Sequence, residues 1–275
     1  MAIVLSLLSS LLWGASDFAG GLVSKRLRAV VVVGWTATFG AILATIAVVA
    51  TGGWHGPIGW LPWGMAAGAS GGLGLIGYYL ALSTGTMGVV APVTSLGLAV
   101  PVVVGVLSGE SPSRVTLSGI AIAVVGIALT GGPEFSGATS ARPVLTAMLA
   151  GFFFGAFFVF MDRGSETSPV LTLWSMRATV TAAFVVAALV RRTTGGLRGR
   201  DYLWVLAISA GDFGANLFFG IASTKGFVSI TSVLSSLYPV VTVLLARVAL
   251  SERLRRIQVV GVAVTMLGVA AISTG

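Results

Sequence analysis

Gly109-Glu110, with Arg114, Gly119 and Gly126 behind it, has a counterpart in Ser251-Glu252, with Arg256, Gly261 and Gly268 behind that. The numbering offset is the same, 142, for every one of these pairs. Working outward, Ser83-Thr84 and Ser223-Thr224 repeat at an offset of 140, and Gly14-Ala15 and Gly155-Ala156 at 141. A nearly constant offset along the chain marks an internal duplication. The sequence therefore divides into two copies, residues 1–136 and 137–275.

Both copies are apolar almost throughout. Hydrophobic residues make up 56% of the chain and charged ones 9%, against about 25% charged in a soluble domain. Mean hydropathy is +1.02. So little polar surface cannot coat a water-soluble globule, which excludes a soluble enzyme, a nucleic-acid reader and a disordered chain. A spanning helix needs ~20 mostly apolar residues. Apolar runs bounded by Gly, Pro or charge predict ten of them: Ala2–Val23, Ala29–Thr51, Gly59–Leu82, Met87–Leu107, Val115–Gly131, Val144–Met161, Val170–Val190, Tyr202–Thr224, Phe227–Leu250 and Ile257–Thr274. The expected fold is an all-α membrane protein of ten transmembrane helices.

Five spans per copy is an odd number, so the copies should lie in opposite orientations, as two inverted five-helix repeats. The charges give a second reason. The first copy has Lys25, Arg26 and Arg28 in its first loop and no charge in its second. In the second copy, the first loop carries Asp162, Arg163 and Glu166, and the basic cluster Arg191, Arg192, Arg198 and Arg200 falls in the second. Summed by side, twelve Lys and Arg lie in loops on one face and three on the other. The positive-inside rule then puts both termini outside the cytoplasm. The net charge of +8 belongs to this asymmetry, so the expected partners are lipid and a small molecule, with no nucleic acid. With no Cys and one His, His55, no metal site or cofactor is expected.

Ionisable groups deep in a span are expensive and mark pathways. Asp17, Arg177 and Asp212 are the deep ones. Asp17 shares a helix face with Trp13 and Gly21 at four residues and with Gly14 and Gly20 at three. Small residues on that face admit a close neighbour, so it should look into the bundle. Coupling to protons or contact with substrate is one reading of Asp17; a structural ion pair with Arg177 is a second, and an interfacial, solvated carboxylate a third. Ser209, Asp212, Asn216 and Ser223 form a polar stripe along span eight, either a cavity wall or interhelical hydrogen-bonding glue. Tyr78 and Tyr79 in span three, and Thr231, Ser235 and Tyr238 in span nine, add aromatic and hydroxyl groups suited to an amphipathic organic substrate. Pro92, Pro101 and Pro239 interrupt the backbone ladder in spans four and nine. The candidate substrate-binding residues are Trp13, Tyr78, Tyr79, Trp174, Arg177, Asp212, Asn216, Ser235 and Tyr238, and the candidate proton carriers are Asp17 and Asp212.

Three motif matches are discounted. Gly72-Leu73-Gly74-Leu75-Ile76-Gly77 fits a dinucleotide fingerprint but lies inside a span with no preceding strand. Gly68-Ala69-Ser70-Gly71-Gly72 fits a nucleophile elbow without its strand–turn–helix context. Ser209-Ala210-Gly211-Asp212 approaches the Gly-x-Gly-Asp of intramembrane aspartyl proteases but lacks the first Gly; Asp17 would have to serve as the second acid.

Leu11-Leu12-Trp13-Gly14-Ala15-Ser16-Asp17-Phe18 resembles the opening motif of EamA-type transporters in the drug/metabolite transporter superfamily. Ser168-Pro169 followed by Arg177 is similar to their entry into the second helix of a repeat. Tyr238-Pro239, with Ser251-Glu252-Arg253-Leu254 beginning twelve residues after the proline, resembles their Pro…Gly-Glu-Arg-Leu motif. The resemblance covers the chain as two EamA repeats and implies a secondary transporter, more often an exporter, of small organic metabolites or drugs at the cell inner (cytoplasmic) membrane. Proton antiport is the preferred energetics; an uncoupled facilitator for amino acids or related metabolites is the alternative. Asp17 stands where many members have Asn, and Trp35, not Arg, occupies the first-copy position matching Arg177.

Overall fold

The computed structural model describes residues 1–24, 26–54, 57–84, 93, 94, 97, 99–131, 141–250 and 256–274. Lys25, His55, Pro92 and the Ser251–Arg255 stretch lie outside them. Among the described residues all regular structure is helical: α1 (Ala2–Ser24), α2 (Ala29–Thr51), α3 (Trp60–Thr84), α4 (Ala99–Leu107), α5 (Arg114–Gly131), α6 (Ala141–Ser165), α7 (Pro169–Arg191), α8 (Arg200–Ser223), α9 (Val228–Ser235), α10 (Tyr238–Leu250) and α11 (Arg256–Thr274). Within them, five stretches are long and apolar enough to cross a membrane: Ala2–Ser24, Ala29–Thr51, Leu145–Ser165, Pro169–Arg191 and Arg200–Ser223.

Most boundaries fall within three residues of the sequence expectation, and span nine differs in kind. The single run Phe227–Leu250 is two helices, α9 and α10, separated at Ser236 and Leu237. Pro239 has no N–H to donate back to Ser235, so one ladder cannot run through. It sits instead in the first turn of α10, where no intrahelical donor is needed.

The glycines of the duplicated stretch turn out to be a contact between the copies. A Cβ on Gly126 would collide with the backbone of Thr265, and one on Gly268 with Ala123. These are the same contact made twice, since 126 and 268, like 123 and 265, are 142 apart. Gly119 packs against Gly268 and Ile272, so α5 and α11 run antiparallel. Small residues let the two backbones meet directly. A second duplicated contact joins α1 to α10 and α6 to the region before α4. Gly14 faces Tyr238 O and Val241, and Gly155 faces Gly97 O and Val100. α2 and α7 also run antiparallel, with Gly34 against Phe184, Gly40 against Arg177 and Thr45 bonded to Trp174.

The helix ends segregate onto two faces. On one, Arg26 pairs with Asp201 at 3.3 Å and Trp35 Nε1 donates to Thr194 O at 3.0 Å. On the other, Arg163 donates to Ser108 at 3.0 Å and Gly226 lies against Ala2. That second face also holds a tie between the copies. Gly109, at φ +99°, turns the chain after α4 in a conformation that suits glycine. Glu110 then reaches the start of α9, where its Oε1 accepts from Val228 N–H at 2.5 Å and its Oε2 from Ser229 N–H at 3.2 Å. The carboxylate satisfies two orphan donors of the helix N-terminus and opposes its partial positive charge.

Candidate functional site

Where helices of both copies converge, a cavity remains. α1 contributes Trp13 and Asp17, α7 Met176, Arg177 and Val180, α8 Asp212 and Asn216, and α10 Tyr238. The opposite wall is uncharged among the described residues and mostly apolar: Val33, Thr36 and Ala37 from α2, the glycine-rich face of α3 up to Leu75, and Phe154, Phe157 and Phe158 from α6. The centre of a water molecule can move through about 110 Å³ of it. One water needs roughly 10–15 Å³ by that measure, so the space holds several waters or a small organic molecule.

Among the described residues three charged groups line the cavity, and two neutralise each other. Arg177 Nη2 donates to Asp212 Oδ2. The other carboxylate oxygen accepts from Trp13 Nε1 at 3.0 Å and from Asn216 Nδ2 at 3.0 Å. Asn216 Nδ2 also reaches the Asp212 carbonyl at 2.6 Å, one turn back along α8. The network ties α1, α7 and α8 together. It satisfies a carboxylate that would otherwise be costly to bury. Arg177 rests its stem on Gly40 of α2, with Cδ 3.0 Å and Nε 3.1 Å from where a Cβ would stand. Its Nε is buried there without a hydrogen-bond partner among the described residues.

Asp17 is different. Half-buried on the cavity wall, one turn from Trp13 on α1, it makes no hydrogen bond or ion pair among the described residues. The ion pair considered from the sequence, Asp17 with Arg177, is therefore corrected: Arg177 belongs to Asp212. The reason is register, because Asp212 and Arg177 face each other across α7 and α8 whereas Asp17 sits a turn further along α1.

Trp13 organises the aromatic part of the site. Its ring has Phe158 at 5.7 Å, Phe157 at 6.1 Å, Phe219 at 6.2 Å and Tyr238 at 6.5 Å between centroids. With its indole N–H held by Asp212, the ring is fixed in plane and its faces remain apolar.

Six of the residues expected from the sequence meet in this cavity: Trp13, Asp17, Arg177, Asp212, Asn216 and Tyr238. Tyr78, Tyr79, Trp174 and Ser235 do not line it. Tyr78 and Tyr79 are buried between α3 and α6 with Phe154, Ala147 and Ala150, and the Tyr79 hydroxyl fills the space over Gly20. Trp174 joins Trp54 and Trp60 in an aromatic cluster at the end of α2 and bonds Thr45 at 3.0 Å. Ser235 is fully buried at the end of α9, its hydroxyl without a hydrogen-bond partner among the described residues. The span-eight stripe divides between its two readings. Asp212 and Asn216 form cavity wall, Ser209 bonds across to Thr36 O of α2 at 2.8 Å, and Ser223 bonds back within α8 to Gly220 O at 3.2 Å. The discounted motifs are helix packing: Gly74 meets Phe154, Gly77 meets Ala150, and Ser70 bonds back to Ala66 O.

The apolar wall escaped the sequence reading, although a signal for it existed. The offset of 141 that relates Gly14 to Gly155 also carries Asp17, Trp13, Asn216, Asp212 and Arg177 onto Phe158, Phe154, Leu75, Gly71 and Thr36. All five of these line the cavity. Trp35, the match to Arg177 at an offset of 142, packs instead with Phe39, Phe184 and Tyr202.

Comparison with known proteins agrees with this architecture. The model of a family described as the EamA-like transporter family matches the chain twice, over residues 1–132 and 141–274. A solved crystal structure shares the fold with a TM-score of 0.79 at 20% identity, over 99% of this chain and 96% of its own. No curated protein matches the chain in sequence.

Proposed function

The chain belongs to the EamA-like transporter family, and on that premise we propose a secondary transporter that exports small organic metabolites or drugs across the cytoplasmic membrane. Ten spans form two inverted five-helix repeats, residues 1–136 and 137–275, with both termini outside. The antiparallel pairs α2–α7 and α5–α11 support the inversion, since each pairs a helix with its own duplicate. The twelve-to-three distribution of Lys and Arg supports the orientation.

The observation that carries the reading is the cavity itself. It lies between the repeats, is lined from both, and holds Asp17 beside the Arg177–Asp212 pair. Sites between repeats, near broken helices, suit alternating access, in which one repeat rocks against the other. α9 and α10 supply such a break, and Tyr238 at its edge reaches the cavity. Asp17 is the proton carrier in this scheme. It has no bonded partner among the described residues, so it can exchange a proton without dismantling the wall. Arg177 serves to hold Asp212. The same pairing argues against an aspartyl protease, because both Asp212 oxygens are already engaged.

The chain contains no Cys, which makes the test direct. Ala37→Cys places one thiol on the cavity wall. In liposomes of fixed orientation, a membrane-impermeant thiol reagent should label it from either side, one side at a time. Labelling from one side alone under all conditions would overturn alternating access. Accumulation driven by a pH gradient separates antiport from the uncoupled facilitator.

A further inference from the structure

We infer that the cavity selects organic cations, compounds with a protonated amine or quaternary ammonium head on an aromatic or alkyl body. This rests on the cavity being the transport site and adds the substrate class. Among the described residues its charged groups are Asp17, Arg177 and Asp212. Arg177 and Asp212 are paired, and Trp13 and Asn216 complete the Asp212 shell. A carboxylate ligand would have to take Arg177 from Asp212 and leave two acids facing it. Nor does the Nε of Arg177, without a partner among the described residues, invite an anion, since it is buried under α2 at Gly40.

A cation meets the opposite situation. Asp17 is the charge left without a partner among the described residues, and an uncompensated carboxylate away from bulk water is stabilised by an opposite charge. Trp13, one turn from Asp17 on α1, and Tyr238, Phe154, Phe157 and Phe158 from other helices line the same space, and aromatic faces attract ammonium groups. An apolar body can lie along Leu75, Ala37 and the α3 glycines. The site thus offers a charge at one end and a hydrophobic bed along the rest.

Three probes of similar size separate the possibilities: 2-phenylethylammonium, 3-phenylpropionate and 2-phenylethanol. Their binding to the purified full chain in detergent is measured by calorimetry. The ammonium should bind at least about tenfold more tightly than the carboxylate, since charge-assisted hydrogen bonds are worth roughly one to two decades of affinity. Asp17→Glu should keep that preference and Asp17→Asn remove it. Asp212→Asn leaves Arg177 uncompensated and should swing the preference toward 3-phenylpropionate. Preference for the anion in the native protein, survival of cation preference in Asp17→Asn, or no binding of any probe would overturn the inference. Flux of the same probes in liposomes is read separately. Cation binding without flux sinks the transporter reading alone, whereas flux of the carboxylate alone sinks the cation inference and leaves the transporter.

Discussion

The two walls of the cavity are copies of each other in backbone and opposites in chemistry. At the offset of 141, Asp17 corresponds to Phe158, Trp13 to Phe154, Asp212 to Gly71, Asn216 to Leu75 and Arg177 to Thr36. The helices of each pair occupy duplicated positions and both members face the same space. Yet the charged groups, among the described residues, all lie on the α1–α7–α8 side. Duplication fixed the scaffold, because backbone packing at Gly14 and Gly155, or at Gly126 and Gly268, depends on small residues kept in both copies. It did not fix the site. Ionisable groups inside a membrane are costly, and the matching positions of the other set carry Phe, Leu, Gly and Thr in place of charge.

Breaking the charged wall should have the largest effect. Asp212→Ala strands Arg177 and removes the acceptor of Trp13 and Asn216. Losing one partner of a buried pair costs about 3–5 kcal/mol, so we expect a marked fall in thermal stability in detergent, with transport lost. The Asp212→Ala/Arg177→Ala double variant should recover part of that loss, and strict additivity would show that the two do not act as a pair.

Asp17→Asn sharpens the comparison from the other side. The residue has no partner to lose among the described residues, so unfolding should shift by less than about 1 kcal/mol. Gradient-driven transport should nonetheless vanish, while counterflow exchange persists. A pH-jumped variant that still accelerates like the native protein would end Asp17's role as proton carrier.

Glu110→Gln probes the tie between copies away from the cavity. A carboxylate at a helix N-terminus becomes a neutral amide with one acceptor in place of two. Caps of this kind contribute about 1–2 kcal/mol. The melting temperature should fall, and the ammonium-over-carboxylate binding ratio should not change.

The smallest effect on transport is expected on the uncharged wall. Phe158→Leu keeps the site apolar but gives up ring contacts with Trp13 and Phe219, so stability should fall by roughly 1–3 kcal/mol, with binding affinities changed several-fold and charge preference intact. Reversal of charge preference by this substitution would erase the distinction between the walls.

The sequence by itself determined the class, the duplication and most helix limits, because membrane solvation imposes them locally. About twenty apolar residues make a span wherever they occur, and the recurrence of Gly119 and Gly126 as Gly261 and Gly268 is legible without coordinates. It also exposed Asp17, Arg177 and Asp212, since charge in such a run is conspicuous. Tertiary structure alone decided their partners. Asp212 and Arg177 are 35 residues apart and Trp13 is 199 residues from Asp212, and nothing local chooses Asp212 over Asp17 for the guanidinium. That choice comes from how α1, α7 and α8 are rotated about their axes when they pack. The rotation of α1 left Asp17 on the cavity wall, and that of α3 packed Tyr78 and Tyr79 against α6, because a helix can bury only one face at a time against a given neighbour.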